Sequence, residues 1–320
     1  MRFMSAFLIV VLAAQTCSAW WEAGHQIIAL LAYDLLHEAE QAQLLMILNH
    51  HPRLAEDFSS PKTEVPFTKA EHDRWLVGRA GFWPDVARSQ PDFNRPSWHY
   101  QLGATLTIGD VQHVPKHPGP VPAEATLHTH ELHIAQALQL CRSVLHDKAR
   151  SSSDRALAIC WLAHLVGDAH QPCHAGSLYA VNVFPEGDRG ANSIPTKQTK
   201  NLHALWDSLL GDRYEPGDIR RRCELIRTDT VRWHQAKLAA HRSDGLDPQV
   251  WLSESVAFGK SHVYTPEILG PVDATARGLT AKVETIELSD EYLKAAGELA
   301  RVRAAFAAHR LARIFQHDLK

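Results

Sequence analysis

Residues 156–174 read ALAICWLAHLVGDAHQPCH, and the fold turns on this stretch. From Ala156 to Gly167 it is apolar nearly all round, the pattern of a helix buried on every side rather than one with a wet face. The run is longer than a typical strand, which favours the helix. His164 is the one titratable side chain inside it, and Asp168 follows four residues later on the same helical face. A buried carboxylate is costly unless it is paired or metal-bound. Pro172 stops the helix, and His174 follows. A lone His-x3-Asp pair of this kind more often orients a core than binds a ligand.

The pair is repeated. Asn201-Leu202-His203-Ala204-Leu205-Trp206-Asp207 has the same spacing, again among apolar residues. Two helices that each turn a His and an Asp inward are what a metal site in a bundle core requires, and imidazole with carboxylate suits zinc. Upstream, His25, Trp83-Pro84-Asp85 and Trp98-His99-Tyr100 supply further ligand types. With His174 they bring the candidates to eight, too many for one tetrahedral ion, so a cluster is expected.

Helical periodicity also dominates residues 24–48, 131–146, 201–210, 218–241, 248–260 and 290–317, while Pro and Gly gather at 61–66, 84–122 and 185–195. Strand signals are weak and no linker divides the chain, so one all-α domain with long loops is expected. Charge is nearly balanced, 33 Lys+Arg against 36 Asp+Glu, which excludes a cationic protein that coats duplex nucleic acid by neutralising phosphates. Histidine is abundant at 21 residues. It is the commonest metal-ligand side chain, so its organisation matters.

Residues 1–19 have the features of a secretory signal: Arg2, the apolar run Ala6 to Ala14, and small residues before the bond after Ala19. That run is too short to span a bilayer, and no stable membrane association is expected. The mature chain would start at Trp20 and be secreted or periplasmic. Four cysteines follow, Cys141, Cys160, Cys173 and Cys223; in an exported chain two disulfides are open to them, although Cys160 suits a buried free thiol equally well.

At these residues the chain resembles the zinc-dependent S1/P1 nucleases, relatives of bacterial zinc phospholipase C. The resemblance runs from Trp20 almost to the C-terminus. It is carried by Trp20-x3-Gly24-His25, Trp83-Pro84-Asp85, Trp98-His99-Tyr100, His164-x3-Asp168-x5-His174, Gly187-Asp188-x-Gly190-Ala191-Asn192 and His203-x3-Asp207. Trp251-x2-Glu254-Ser255, Val263-Tyr264 and Arg310-Leu311-Ala312 add to it. The resemblance implies a mainly helical domain over residues 20–320 with three zinc ions in a cleft. Asp85, His99, His164 and Asp168 would hold one ion. The α-amine and carbonyl of Trp20, with His25 and a bridging Asp168, would hold a second. His174, His203 and Asp207 would hold a third, more exposed ion. The implied activity is endonucleolytic hydrolysis of single-stranded DNA and RNA to 5′-nucleotides by zinc-activated water, with 3′-nucleotidase activity at the same centre. Asp85, Asp168 and Arg88 would act in catalysis, and Arg88, Tyr100 and Asn192 would contact substrate.

There are departures from the family pattern. Leu102 stands where fungal members have a base-contacting Asp, Ser208 where they have an Asn, and Ala191 where a second Gly is usual. The competing expectations are phospholipid head-group hydrolysis, against which Asp207 rather than Glu closes the third site, and a non-catalytic zinc-binding protein. A monomer is expected. The remaining histidines, among them His37, His51, His146, His309 and His317, read as surface or loop residues. His170 is a candidate neighbour of the ligands, and His128-x-His130-x2-His133 reads as a solvated helix start.

Overall fold

The computed structural model describes residues 20–61 and 66–320; the expected leader lies outside them. The chain enters through α1 (Glu22–Tyr33), α2 (Glu38–Leu48), the single turn α3 (Leu54–Asp57) and α4 (Lys69–Val86). Strand β1 (Ala104–Ile108) leads to α5 (Ile134–His146) and α6 (Ser152–Ala169). Strand β2 (Ser177–Ala180) precedes α7 (Leu202–Ser208), α8 (Pro216–Thr228), α9 (Thr230–Ala240), α10 (Pro248–Phe258), α11 (Pro266–Ala276) and the long α12 (Asp290–Asp318). The mainly helical single domain expected from the sequence is what forms.

Helix α6 is the stretch on which the fold was read. Every residue from Ala156 to Ala169 is buried, because α1, α2, α4, α5 and α12 pack around it. Ser151 caps its start by accepting from the Asp154 amide at 3.0 Å. Burial of this continuous apolar surface stabilises the fold by roughly 2 kcal/mol for each large side chain enclosed. A second apolar cluster, with Leu178, Trp206, Tyr264, Val272 and Tyr292, fills the space between β2, α7, α11 and the start of α12.

Helices α1 and α4 approach closely because glycines line their seam. A methyl on Gly81 would sit 2.9 Å from the Ala29 Cβ and 3.0 Å from the His25 carbonyl. That closeness puts α4, with Asp85 in its last turn, against the segment carrying His25.

Several expectations are corrected. The periodic run 24–48 breaks at Asp34–His37, where the Glu40 carboxylate accepts from the His37 amide at 3.0 Å and starts a new helix. The run 218–241 breaks at Asp229, whose side chain caps α9. Helices α4 and α11 were not expected, since Pro84 and Pro271 lie inside them; tertiary packing overrides the local penalty. Strands β1 and β2 pair in parallel across more than 60 intervening residues, beyond the reach of a local signal. Cys141, Cys160 and Cys223 are buried thiols and Cys173 is buried as well, and no disulfide joins these four among the described residues.

Candidate metal centre

The end of α6 delivers His164 and Asp168 to one point, and three other segments converge there. Asp168 Oδ2 lies 3.1 Å from His99 Nδ1 and 3.4 Å from His164 Nε2, while its Oδ1 lies 3.4 Å from His25 Nε2. One carboxylate thus turns its two oxygens toward different imidazoles, the disposition a bridging ligand needs. His25 stacks on His164 with ring centroids 3.8 Å apart, and His164 Nε2 stands 3.9 Å from Asp85 Oδ1. His25, Asp85 and His164 form one group with metal-ligand spacing and His99, His164 and Asp168 another, so the buried donors make one continuous cluster that shares His164.

The third group lies at the cleft. His174 Nε2 and His203 Nε2 are 3.1 Å apart, and His203 Nε2 is 3.3 Å from Asp207 Oδ2. Gln171 donates to the other oxygen of Asp207 at 2.7 Å and holds it in place. His99, His174 and His203 line a cleft of about 350 Å³. The expectation of a more exposed third site is sharpened, since its side chains are themselves buried and His174 and His203 line the cleft.

Second partners fix which nitrogen of each ring is turned toward the cluster. The Nδ1–H of His164 donates to the Gly81 carbonyl, that of His174 to the His99 carbonyl, and that of His203 to the Gly190 carbonyl. Each leaves Nε2 as a lone-pair donor toward the cluster, the arrangement of metal-ligating histidines. His99 does the reverse and presents Nδ1. Burial, with the neighbouring histidines and Arg88 adding to it, holds His25, His99 and His174 well below the ordinary imidazole range, and burial brings His164 down to about 4. The rings are therefore neutral at physiological pH, the form that binds metal. His25 Nδ1, His99 Nε2 and Asp85 Oδ2 are buried with no hydrogen-bond partner. Neutral imidazoles facing one another across carboxylates, with polar atoms left over, fit cations better than they fit a hydrogen-bonded core.

Each expected site residue has a definite place. Trp20 is fully buried and its indole donates to the Gly167 carbonyl at 3.0 Å, so residue 20 sits beside Asp168. Arg88 is mostly buried and its Nε donates to Asp85 Oδ1 at 2.6 Å, unlike an ordinary exposed arginine. Tyr100, 40% exposed, lines the cleft with its ring against His133. Asn192 also lines it, its amide donating to the Arg189 carbonyl at 2.9 Å. Asp188 anchors its loop by accepting from Tyr264 Oη and the Leu178 amide. Burial pushes its carboxyl up to about 6.

The loop that carries Asn192 is strained. Arg189, Gly190 and Ala191 have φ of 62°, 61° and 68°, a region that costs a non-glycine residue about 1 kcal/mol or more. A Cβ on Gly190 would fall 2.3 Å from the Cys173 carbonyl. Ala191 bears this conformation where the family usually has a second glycine.

His170 is not a neighbour of the ligands. Its Nδ1–H donates to the Val166 carbonyl, and its Nε2 accepts from Arg310 at 2.7 Å. His51 and His309, expected at the surface, are buried, His51 between Phe58 and Trp83. Sequence reading passed over Gln171 although it lies in the opening stretch; its side-chain role shows only once Asp207 comes within reach. The sequence His128-x-His130-x2-His133 gathers no metal-ligand group among the described residues.

A model of the S1/P1 Nuclease family matches residues 20–320. Over 56 residues the chain is 38% identical to Endonuclease 4 of Arabidopsis thaliana, a stretch that covers 17% of this chain and 16% of that protein. With the family match spanning the whole described domain, the chain belongs to the S1/P1 nuclease family.

Proposed function

We propose that this chain is an exported zinc-dependent phosphodiesterase that cleaves single-stranded DNA and RNA to 5′-nucleotides, with 3′-nucleotidase activity at the same centre. The observation that carries the reading is the grouping of His25, Asp85, His99, His164 and Asp168 beside a second group, His174, His203 and Asp207, whose two histidines line the cleft. The buried set would hold two ions, joined by the α-amine and carbonyl of Trp20 after leader removal. The third group would hold one ion and leave coordination positions open toward the cleft. When bound there, zinc supplies Lewis acidity toward a phosphoryl oxygen and brings the pKa of water near neutrality.

The chain's own residues supply the rest. Asp85 keeps the Arg88 guanidinium largely out of water beside the buried donors, where its charge would neutralise a phosphate with little screening. Tyr100 offers an exposed ring at the cleft; stacking accepts any base that is not paired, which suits single strands. Leu102 lines the same cleft and brings no hydrogen-bonding group to a base, so weak base preference follows. Gln171 steadies Asp207 as an incoming phosphate perturbs it. Among the described residues no helix is long and apolar enough to cross a membrane, and the family match begins at Trp20, where cleavage of the leader is expected. The chain is proposed to be secreted or periplasmic and to act as a monomer.

The deciding measurement is zinc content together with products from single-stranded DNA, RNA and a phosphatidylcholine analogue, on chain beginning at Trp20. Three zinc ions held by this centre and release of 5′-nucleotides are expected. Release of phosphocholine without nucleotides would transfer the reading to the phospholipase side, and stoichiometric zinc with no hydrolysis would leave a binding protein. The same chain with one residue added ahead of Trp20 should bind less zinc, since its α-amine no longer reaches the cluster.

A further inference from the structure

We propose a separate divalent-metal site at the C-terminal end of the molecule, formed by His146, His317 and Asp318. Nothing in the sequence links these residues: His146 ends α5 and the other two end α12, about 170 positions later. The fold brings them together with one ligand atom from each inside a 4.8 Å group. His317 Nδ1 lies 2.5 Å from Asp318 Oδ1, and His146 Nδ1 approaches the same oxygen at 4.0 Å. The two imidazoles are stacked with centroids 5.8 Å apart. An ion bonded at about 2.0–2.2 Å in tetrahedral geometry sets its ligand atoms roughly 3.3 Å apart, and the observed separations bracket that value. Rotation of two side chains that are about 60% exposed is enough to close it.

Three features favour a cation here. Asp318 is 3% exposed and keeps Oδ1 turned toward both imidazoles, while Arg142 Nε donates to Oδ2 at 2.8 Å. Arg142 also reaches Oδ1, at 3.4 Å, but a carboxylate oxygen has two lone pairs, so a metal and the guanidinium can share it. His146 and His317 lie in the last turns of α5 and α12, where the negative end of a helix dipole favours a cation. Asp147 caps α5 next door, paired with Arg150 at 3.5 Å. Two imidazoles and one carboxylate select a borderline ion such as zinc, nickel or copper over calcium or magnesium, which prefer all-oxygen shells. Water would complete the solvent side. An ion there would tie the last turn of α12 to α5 beside the Arg142–Asp318 pair.

The test is zinc binding by equilibrium dialysis at micromolar free zinc, followed by metal analysis, on the full mature chain. His146→Ala and His317→Ala should each bind one zinc fewer than the parent, and the double variant should lose the same single equivalent. His72→Ala, an exposed control, should lose none. His203→Ala should lose a different equivalent, additive with His317→Ala, while hydrolysis stays unchanged in the His146 and His317 variants. Zinc should also raise the thermal midpoint of the parent more than that of the double variant. Equal stoichiometry in parent and double variant, or an equal loss in the His72 control, would overturn the site. The outcome is independent of which substrate the cleft takes.

Discussion

Asp168 is the residue on which most of the centre depends, because its two oxygens face His25 on one side and His99 and His164 on the other. Asp168→Ala should lower bound zinc by two equivalents and cut hydrolysis at least 100-fold, given that removing even an outer partner of a metal ligand costs about 10–100-fold. Metal analysis and turnover on a variant with native circular dichroism check this, and full zinc content would refute the bridge. Gly167, its neighbour, matters through space rather than charge. A methyl there would stand 3.0 Å from His25 Nδ1, so Gly167→Ala should displace that ring and weaken zinc binding about tenfold while the fold survives; competition with a chromophoric chelator reads the affinity. Asp168 was legible in the sequence because a carboxylate in an apolar helix needs a partner. The demand on Gly167 was not, since it exists only once His25 has arrived from another helix.

Between elements, α12 is joined to α10 and the end of α6 by buried charge. Arg303 and Arg310, seven residues apart on α12, both donate to Glu254 of α10 at 2.6 and 2.7 Å. Arg303 also donates to the His170 carbonyl and to Ser255 Oγ, and Ser255 in turn donates to the Ala169 carbonyl, one residue past Asp168. Glu254→Gln leaves two guanidinium groups without a counter-charge. Breaking a buried pair costs about 3–5 kcal/mol, and since Glu254 is 29% exposed the lower end, about 3 kcal/mol, is expected from urea unfolding. A loss under about 1 kcal/mol would show that water already screens the group. The sequence displayed Glu254, Ser255 and Arg310 as family motifs, yet the partners are about 50 positions apart and their roles appeared only with the fold. The helices that sequence missed share that cause. Pro84 and Pro271 argue locally against α4 and α11, whereas close packing at Gly78 and Gly81 supports α4 and the buried Ile268, Val272 and Ala276 support α11.

At the scale of the whole molecule, the abundance of histidine becomes a liability in acid. His51 and His309 lie outside the centre, yet burial brings the first down to about 3 and the second to about 4. An imidazole in the unfolded chain titrates near 6.5. Above that pH both states are neutral and stability is unaffected. Below it the unfolded chain takes up a proton that the folded chain refuses, so stability is lost as pH falls from about 6.5 toward the folded values, by up to about 1.4 kcal/mol per pH unit for each such histidine. At His51 the cause is visible: the ring is enclosed by Phe58 and Trp83, its Nδ1 accepts from the Arg53 amide, and its Nε2 has no partner for a second proton. His51→Gln removes that titration without a permanent charge. Whatever its thermal midpoint at pH 7.5, the variant should lose less of it than the parent on going to pH 5, and zinc released from the centre in acid should affect both chains alike. Calorimetry at the two pH values measures the difference, and identical acid slopes would show that His51 is protonated in the folded chain.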